Sequence, residues 1–306
     1  MPHTALAPLP PRRSRWPRLA RSEWALLLAA AALLALAVGG PPLHDSLHQH
    51  AFADQRTLGG LPCALDVLSN LPFAIAGLWG LVLLGRTHVA GLTRGHQPQD
   101  AVSRGLAALF FGGLVCTAVG SALYHVRPDD AGLLWDRLGM VLPFAGLLGL
   151  AVHSRISARA GLWAAAVVLA GGMVAVLWWA RSGHLLPWAV VQLGGMLVVL
   201  ALAVLPRRVG TLAPHLGAVI ALYGAAKLFE AADHAVFEAT QQWLSGHSIK
   251  HLLAAAAAWP VLRALADGAS SHPLPWATAG HTHVTACGQN GAHAVRAAAR
   301  TLGRKA

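Results

Sequence analysis

Charged residues are scarce in this sequence. Asp, Glu, Lys and Arg make up 11% of its 306 residues, against about 25% in an average soluble domain, so the chain belongs in a lipid bilayer. Cysteine is scarce as well. Cys63, Cys116 and Cys287 are odd in number and far apart, so they predict neither a disulfide framework nor a cysteine-based zinc site.

Hydrophobic residues, by contrast, form 56% of the chain. They gather in runs close to the ~20 residues that a helix needs to cross the hydrocarbon core. These runs predict an all-α fold, a polytopic membrane helix bundle. We place eight membrane-spanning helices at 23–40, 66–85, 104–124, 132–152, 158–180, 185–205, 213–236 and 247–266, with polar residues interrupting the last two.

The ends of the chain have a different composition. Residues 1–22 are basic and 267–306 are rich in Pro, Gly, Ala and Ser, so both are predicted to be disordered. The first apolar run ends in GGPPLHD without a small-residue cleavage site, and we therefore keep 23–40 as a true transmembrane helix. Residues 41–65 become the loop that follows it.

The basic residues predict the orientation in the membrane. Seventeen Lys and Arg residues lie in one set of alternating segments and three, Arg56, Arg127 and Arg181, in the other. The positive-inside rule places the first set in the cytoplasm, and eight spans put both termini there. We expect an integral protein of a bacterial inner membrane. The net charge of +11 then reflects topology rather than nucleic-acid binding, and no protein partner is inferred.

Several polar residues sit at the ends of the apolar runs. By the charge count these ends face the extracytoplasmic side, so residues distant in sequence share one membrane depth. They are Asp66, Ser69 and Asn70 at the second span, Ser121 and His125 at the third, Asp136 at the fourth, and His247 and His251 at the eighth.

Their spacing is that of a metal site. His247 and His251 are four residues apart, so they share one face of a helix, as paired histidines do in helical zinc motifs. With His125 they supply three imidazoles, which leave the fourth position of a catalytic zinc open. Asp136 could then hold or deprotonate a zinc-bound water and Ser121 could donate to an oxyanion.

Other polar groups admit more than one interpretation. Lys227, Glu230 and Asp233 share a face of the seventh span and predict either a structural ion pair, a polar pocket wall behind the histidines, or the proton relay of a transporter. Haem ligation by the histidines would leave Ser121 and Asp136 unexplained. The loop histidines His44, His48 and His50 and the tail sequence HTHVTACGQNGAH are expected to be solvated.

The order Ser121-x3-His125, Asp136, His247-x3-His251 resembles the alkaline ceramidase family, over about residues 54–266. That family belongs to a superfamily of seven-helix membrane hydrolases that includes adiponectin-type receptors. The resemblance implies a seven-helix catalytic core at 66–266, with 23–40 as an addition. It also implies Zn²⁺ on His125, His247 and His251, with Ser121 and Asp136 at the zinc-bound water.

One part of the family pattern is missing. Eukaryotic alkaline ceramidases carry a Trp, acidic and Asn cluster that binds Ca²⁺ before the first core helix. Here Asp54 and Asp66 supply some carboxylate for a weak calcium-type site, but Cys63 falls where an acidic ligand is expected. The resemblance therefore leaves Ca²⁺, and ceramide as the substrate, open.

The sequence predicts a zinc-dependent amidohydrolase that cleaves a ceramide-like N-acyl membrane lipid. Three alternatives stay open: an ester hydrolase of the same superfamily, a non-catalytic metal-stabilised receptor, and a transporter. Against transport, the polar groups gather on one side of the membrane rather than along a path through it.

Overall fold

The computed structural model describes residues 19–46, 49–93 and 100–270. Almost all of the predicted disordered ends, 1–22 and 267–306, lie outside these ranges. The described chain is helical, with one isolated bridge between Leu58 and Leu61. Its helices are α1 (Arg21–Gly39), α2 (Ala64–Leu68), α3 (Leu71–Thr93), α4 (Ala101–Val126), α5 (Asp130–His153), α6 (Ala158–Ser182), α7 (Leu186–Ala189), a π-helical turn (Val190–Gly194), α8 (Gly195–Ala203), α9 (Leu216–Ala231), α10 (Asp233–Ala239), α11 (Gly246–Ala256) and α12 (Trp259–Ser270).

Seven helical segments of the described chain are long and apolar enough to cross a membrane. They run over Arg21–Gly39, Ala64–Val89, Ala101–Val126, Asp130–His153, Ala158–Ser182, Leu186–Ala203 and Gly246–Asp267. The prediction of a helical membrane bundle is confirmed, and each of these segments overlaps one predicted span.

The predicted span at 213–236 has a different form. It consists of α9, with 16 residues, and α10, with seven, separated at Ala232. Neither helix reaches the ~20 residues that cross the hydrocarbon core. The count of eight spans, and with it the placement of both termini on one side, stays a prediction.

Several helices begin before the apolar runs that predicted them, because polar side chains cap them. The Asp100 carboxylate accepts from the Val102 amide at 3.0 Å at the start of α4. The Asp129 carboxylate accepts from the Gly132 amide at 2.7 Å at the start of α5. Such caps satisfy amides that have no partner within the helix, so helices extend beyond their lipid-facing portion.

Close helix packing positions the polar residues. A Cβ atom on Gly120 of α4 would lie 2.4 Å from the carbonyl oxygen of Trp135 on α5, so only glycine allows this approach. Small residues at such crossings are typical of membrane helix pairs. The contact brings Ser121, the next residue on α4, beside Asp136, the next residue on α5.

The outer faces of the helices are apolar. Only 6% of the α1 segment is buried within the protein, and Leu28, Leu34 and Val38 of this helix are exposed. Its polar attachment is at its first turn, where Glu23 pairs with Arg159 at 2.7 Å. The bundle therefore presents hydrocarbon outward, as a lipid environment requires.

Candidate metal centre

Three histidines from two helices converge at one end of the bundle. His125 lies in the last turn of α4, and His247 and His251 lie on the first two turns of α11. One nitrogen of each can be chosen so that all three lie within 4.8 Å of one another. Their ring centroids are 4.8, 5.0 and 4.9 Å apart, and all three side chains are buried. The predicted cluster thus forms, and it is able to hold a metal ion.

A neighbouring serine fixes the tautomer of His251. The Ser69 hydroxyl donates to the Asp66 carbonyl oxygen at 2.9 Å, so at 2.7 Å it accepts a hydrogen bond from Nδ1–H of His251. Nε2 of His251 then carries the free lone pair that a metal needs. Hydrogen bonds of this kind to the second ring nitrogen orient metal-binding histidines and raise their basicity.

Unpaired imidazole nitrogens show that the residues fit a metal. Nδ1 of His125 and Nε2 of His247 are buried, and neither has a hydrogen-bond partner among the described residues. Buried polar atoms are nearly always paired, and an unplaced ion is one explanation of an exception. Neutral imidazoles are also the form that binds a divalent transition metal. Three such ligands leave one position open for water or substrate.

A cavity of about 260 Å³ opens beside this cluster. Both predicted catalytic residues line it, together with His247 and His251. Ser121 and Asp136 lie beside each other in this lining, where the contact of Gly120 with Trp135 brings α4 against α5. Ser121 and Asp136 therefore share one cavity with two of the three histidines.

The three charged residues of the predicted seventh span separate into two groups. Glu230 accepts from Lys227 at 2.6 Å and from Lys250 of α11 at 2.7 Å, and these three residues line the cavity. Asp233 instead accepts from the His247 amide at 2.8 Å and from the Ala53 amide at 3.0 Å. Lys227 and Glu230 thus form a polar wall, whereas Asp233 supports the backbone of a metal-binding residue.

The two aspartates of the predicted calcium-type site both have protein partners, although Oδ2 of Asp66 is buried without one among the described residues. Asp54 forms an ion pair with Arg56 at 2.6 Å; burial acts to raise its pKa, but hydrogen bonds and charge from Arg56 lower the pKa overall. Asp66 accepts from the hydroxyls of Ser245 at 3.0 Å and Ser248 at 2.6 Å. Within the described ranges, the histidine triad is the only cluster of three or more metal-binding side chains.

Two residues of the cavity, Lys250 and Phe52, were not predicted from the sequence. Lys250 pairs across to Glu230; it lies three residues after His247, inside an apolar run, and intramembrane charge is a signal that could have revealed it. The ring centroid of Phe52 lies 4.6 Å from those of His125 and His247, in tilted and edge-on arrangements. No pattern in the loop sequence marks Phe52, because its role arises from tertiary contact.

The loop histidines have other partners. Nδ1 of His50 lies 2.9 Å from the Tyr124 hydroxyl, and Nε2 of His50 lies 3.0 Å from Asp130. Nδ1 of His44 lies 3.1 Å from the Gly183 carbonyl oxygen. His48 and the tail sequence HTHVTACGQNGAH lie outside the described residues. His50 thus helps to anchor the loop that carries Phe52 over the metal-binding triad.

A larger groove of about 520 Å³ runs between α1, α6 and the α7–α8 region. Its lining is almost wholly apolar, and His184 is the one lining residue whose side chain could bind a metal or move a proton. Comparison of this chain with models of known protein families gives no match, and comparison with curated proteins gives none. Functional inference therefore depends on the chemistry of the histidine site.

Proposed function

We propose that this protein is a zinc-dependent integral membrane hydrolase that cleaves the amide bond of a ceramide-like N-acyl lipid. The observation that carries the proposal is the buried triangle of His125, His247 and His251 beside a cavity that also contains Ser121 and Asp136. Three histidines with an open fourth position are typical of catalytic rather than structural zinc. A site built only for stability would not need an adjoining cavity with a carboxylate and a hydroxyl.

The three histidines would hold zinc, which when bound lowers the pKa of a coordinated water and polarises a carbonyl oxygen. Asp136 takes a proton from the attacking water and passes it to the leaving nitrogen. The water oxygen forms the new bond to the acyl carbon as the carbon–nitrogen bond breaks, giving a carboxylic acid and an amine. Ser121 donates a hydrogen bond to the negative charge that develops on the acyl oxygen.

The resemblance to alkaline ceramidases supports this proposal and extends it. We assign the seven-helix core to 66–266, the helix at 23–40 to an addition, and the active site to the extracytoplasmic side of a bacterial inner membrane. Substrate then enters from the outer leaflet, where the apolar faces of the helices meet the acyl chains of lipids.

Ester hydrolysis and a receptor without turnover are the rival functions. Purified protein should be incubated with matched N-acyl and O-acyl lipids, with a chelator and after zinc is restored. We expect amide cleavage that the chelator abolishes and zinc restores. Cleavage confined to the O-acyl lipids would identify an esterase. Zinc binding without turnover of any lipid in the panel would favour the receptor.

A further inference from the structure

A buried arginine lies at the end of the bundle opposite the metal centre. Arg155 follows α5 and is only 9% exposed. The helix runs 17 residues from Asp136 to His153, or about 25 Å at 1.5 Å per residue, so Arg155 lies near the other membrane surface. This place is independent of the candidate metal centre and of the proposed hydrolysis.

Arg155 has only neutral partners. Its guanidinium donates to the Ser154 hydroxyl at 3.0 Å and to the Pro214 carbonyl oxygen at 3.4 Å. Its Nε is buried and has no hydrogen-bond partner among the described residues. Burial, and after it the charge of Arg207, lowers the pKa of Arg155. A guanidinium still does not deprotonate in proteins, so the charge persists and favours an anion.

Two further arginines adjoin this side chain. The Arg208 amide donates to the Ser154 carbonyl oxygen at 2.9 Å, and its guanidinium donates to the His153 carbonyl oxygen at 2.9 Å. These bonds hold the segment before α9 against the α5–α6 turn. Arg207 is exposed and forms no ion pair with any described residue. Arg155, Arg207 and Arg208 thus lie beside the same α5–α6 turn.

The nearby carboxylates are already paired. Asp100 binds His153 and the Ser103 hydroxyl. Glu23 binds Arg159 and the Ser157 hydroxyl. Neither forms an ion pair with Arg155, Arg207 or Arg208, so these three charges have no ionic partner among the described residues.

We propose that Arg155, Arg207 and Arg208 form a binding site for a phosphate group, carried by an anionic lipid headgroup or present as inorganic phosphate. Guanidinium and phosphate match in charge and in paired hydrogen-bond geometry. Basic pockets between membrane helices near a bilayer surface bind lipid headgroups in this way. The site binds its ligand without taking part in catalysis.

The test uses the full chain in detergent, with binding followed by native mass spectrometry. The probes are phosphatidylglycerol, phosphatidylcholine with the same acyl chains, and inorganic phosphate. Arg207→Gln is the decisive variant, because this exposed side chain has no hydrogen bond to lose in the described protein. Arg181→Gln, an exposed arginine at the other end of α6, removes the same charge and is the matched control. Arg155→Gln removes the buried charge itself. The test is still decided by Arg207→Gln if the Arg155→Gln protein does not fold.

We expect wild-type protein to prefer phosphatidylglycerol to phosphatidylcholine. Arg207→Gln should weaken phosphatidylglycerol binding about fivefold, the usual effect of one basic residue near a membrane surface, while Arg181→Gln leaves it unchanged. Displacement of the lipid by millimolar phosphate would show that free phosphate suffices, and retention would show that the headgroup is the ligand; both support the site. Equal losses in the two variants would overturn the proposal. Equal binding of phosphatidylglycerol and phosphatidylcholine, together with no binding of inorganic phosphate, would overturn it as well.

Discussion

The Ser69 hydroxyl oxygen lies 2.7 Å from Nδ1 of His251 and joins the break between α2 and α3 to the metal-binding face of α11. The two residues are 182 positions apart in sequence, yet one hydrogen bond sets the tautomer of the histidine. Helix α2, just before this break, supplies the Asp66 carbonyl oxygen that orients the serine. The geometry of the candidate metal site therefore depends on a loop that supplies none of its three histidines.

Ser69→Ala should weaken metal binding while leaving the three ligands in place. Without the acceptor on Nδ1–H, His251 loses its fixed tautomer, and loss of such a partner typically costs about 10–100-fold in metal affinity. Competition with a chelator of known affinity measures the change. Ser182→Ala, which removes a hydroxyl bound to the Trp178 carbonyl oxygen on α6, is the control. Equal zinc affinity in wild type and Ser69→Ala would show that the serine has no such role.

The ligands themselves are tested by metal analysis of detergent-purified protein. We expect about one zinc per chain, as a single mononuclear site implies. His247→Ala or His251→Ala should strongly reduce it, because two imidazoles hold zinc far less well than three. His234→Ala removes an exposed histidine and should leave the content unchanged. Wild-type protein that is folded and active without metal would refute the zinc assignment.

The cluster could be predicted from sequence because helical spacing fixes it. The four-residue interval of His247 and His251 places both on one helix face. The end of the third predicted span and the start of the eighth lie at the same membrane depth, so His125 comes close to this pair. Asp233 shows the limit of such reasoning. Its three-residue spacing from Glu230 predicted that both residues lie on one helix face. However, α9 ends at Ala231, between the two residues. Asp233 therefore accepts a hydrogen bond from the α11 backbone instead.

Tertiary contacts explain the other misses. Phe52 covers the histidines because its loop is anchored by Asp233 and His50, and neither anchor is a local pattern. The weak calcium-type site at Asp54 and Asp66 stays a prediction, but the sequence does not show that Arg56 folds back onto Asp54. Helical periodicity predicts which face of a helix a residue lies on, but not which group will be its hydrogen-bond or ion-pair partner.

Asp233→Ala should destabilise the protein. The change leaves the His247 and Ala53 amides without their acceptor, and a lost hydrogen bond to a charged group costs about 1.5–3 kcal/mol. Denaturant or thermal unfolding in detergent measures the loss. Glu238→Ala, at an exposed residue of the same short helix α10, is the matched control. If both variants unfold alike, Asp233 does not anchor α11.

The predicted orientation can be measured with reporters. The uneven distribution of loop Lys and Arg, seventeen against three, predicts that a fusion after Ala306 reports the cytoplasm. A tag inserted near Asp129 should report the extracytoplasmic side, because Asp129 precedes α5 at the metal-centre end. The reverse pattern at Asp129 would move the proposed active site to the cytoplasmic face and change the route of the substrate.

Asp136→Asn separates an enzyme from a receptor. The near-isosteric change should keep fold and zinc content, because the three imidazoles still bind the ion. If Asp136 is the general base, lipid amide hydrolysis should fall by about 10²–10⁴-fold, the usual effect of losing a positioned proton-transfer group. Initial rates of acid release under saturating lipid provide the measurement.

Ser121→Ala is the matched comparison for that experiment, since it alters the same cavity wall. It should cost less than Asp136→Asn, because zinc still polarises the acyl oxygen when one hydrogen-bond donor is removed. A receptor has no turnover for either variant to lose, and its lipid affinity should then be nearly equal in all three proteins. Undiminished turnover in Asp136→Asn would remove the proton-transfer role from this carboxylate while leaving the histidine site intact.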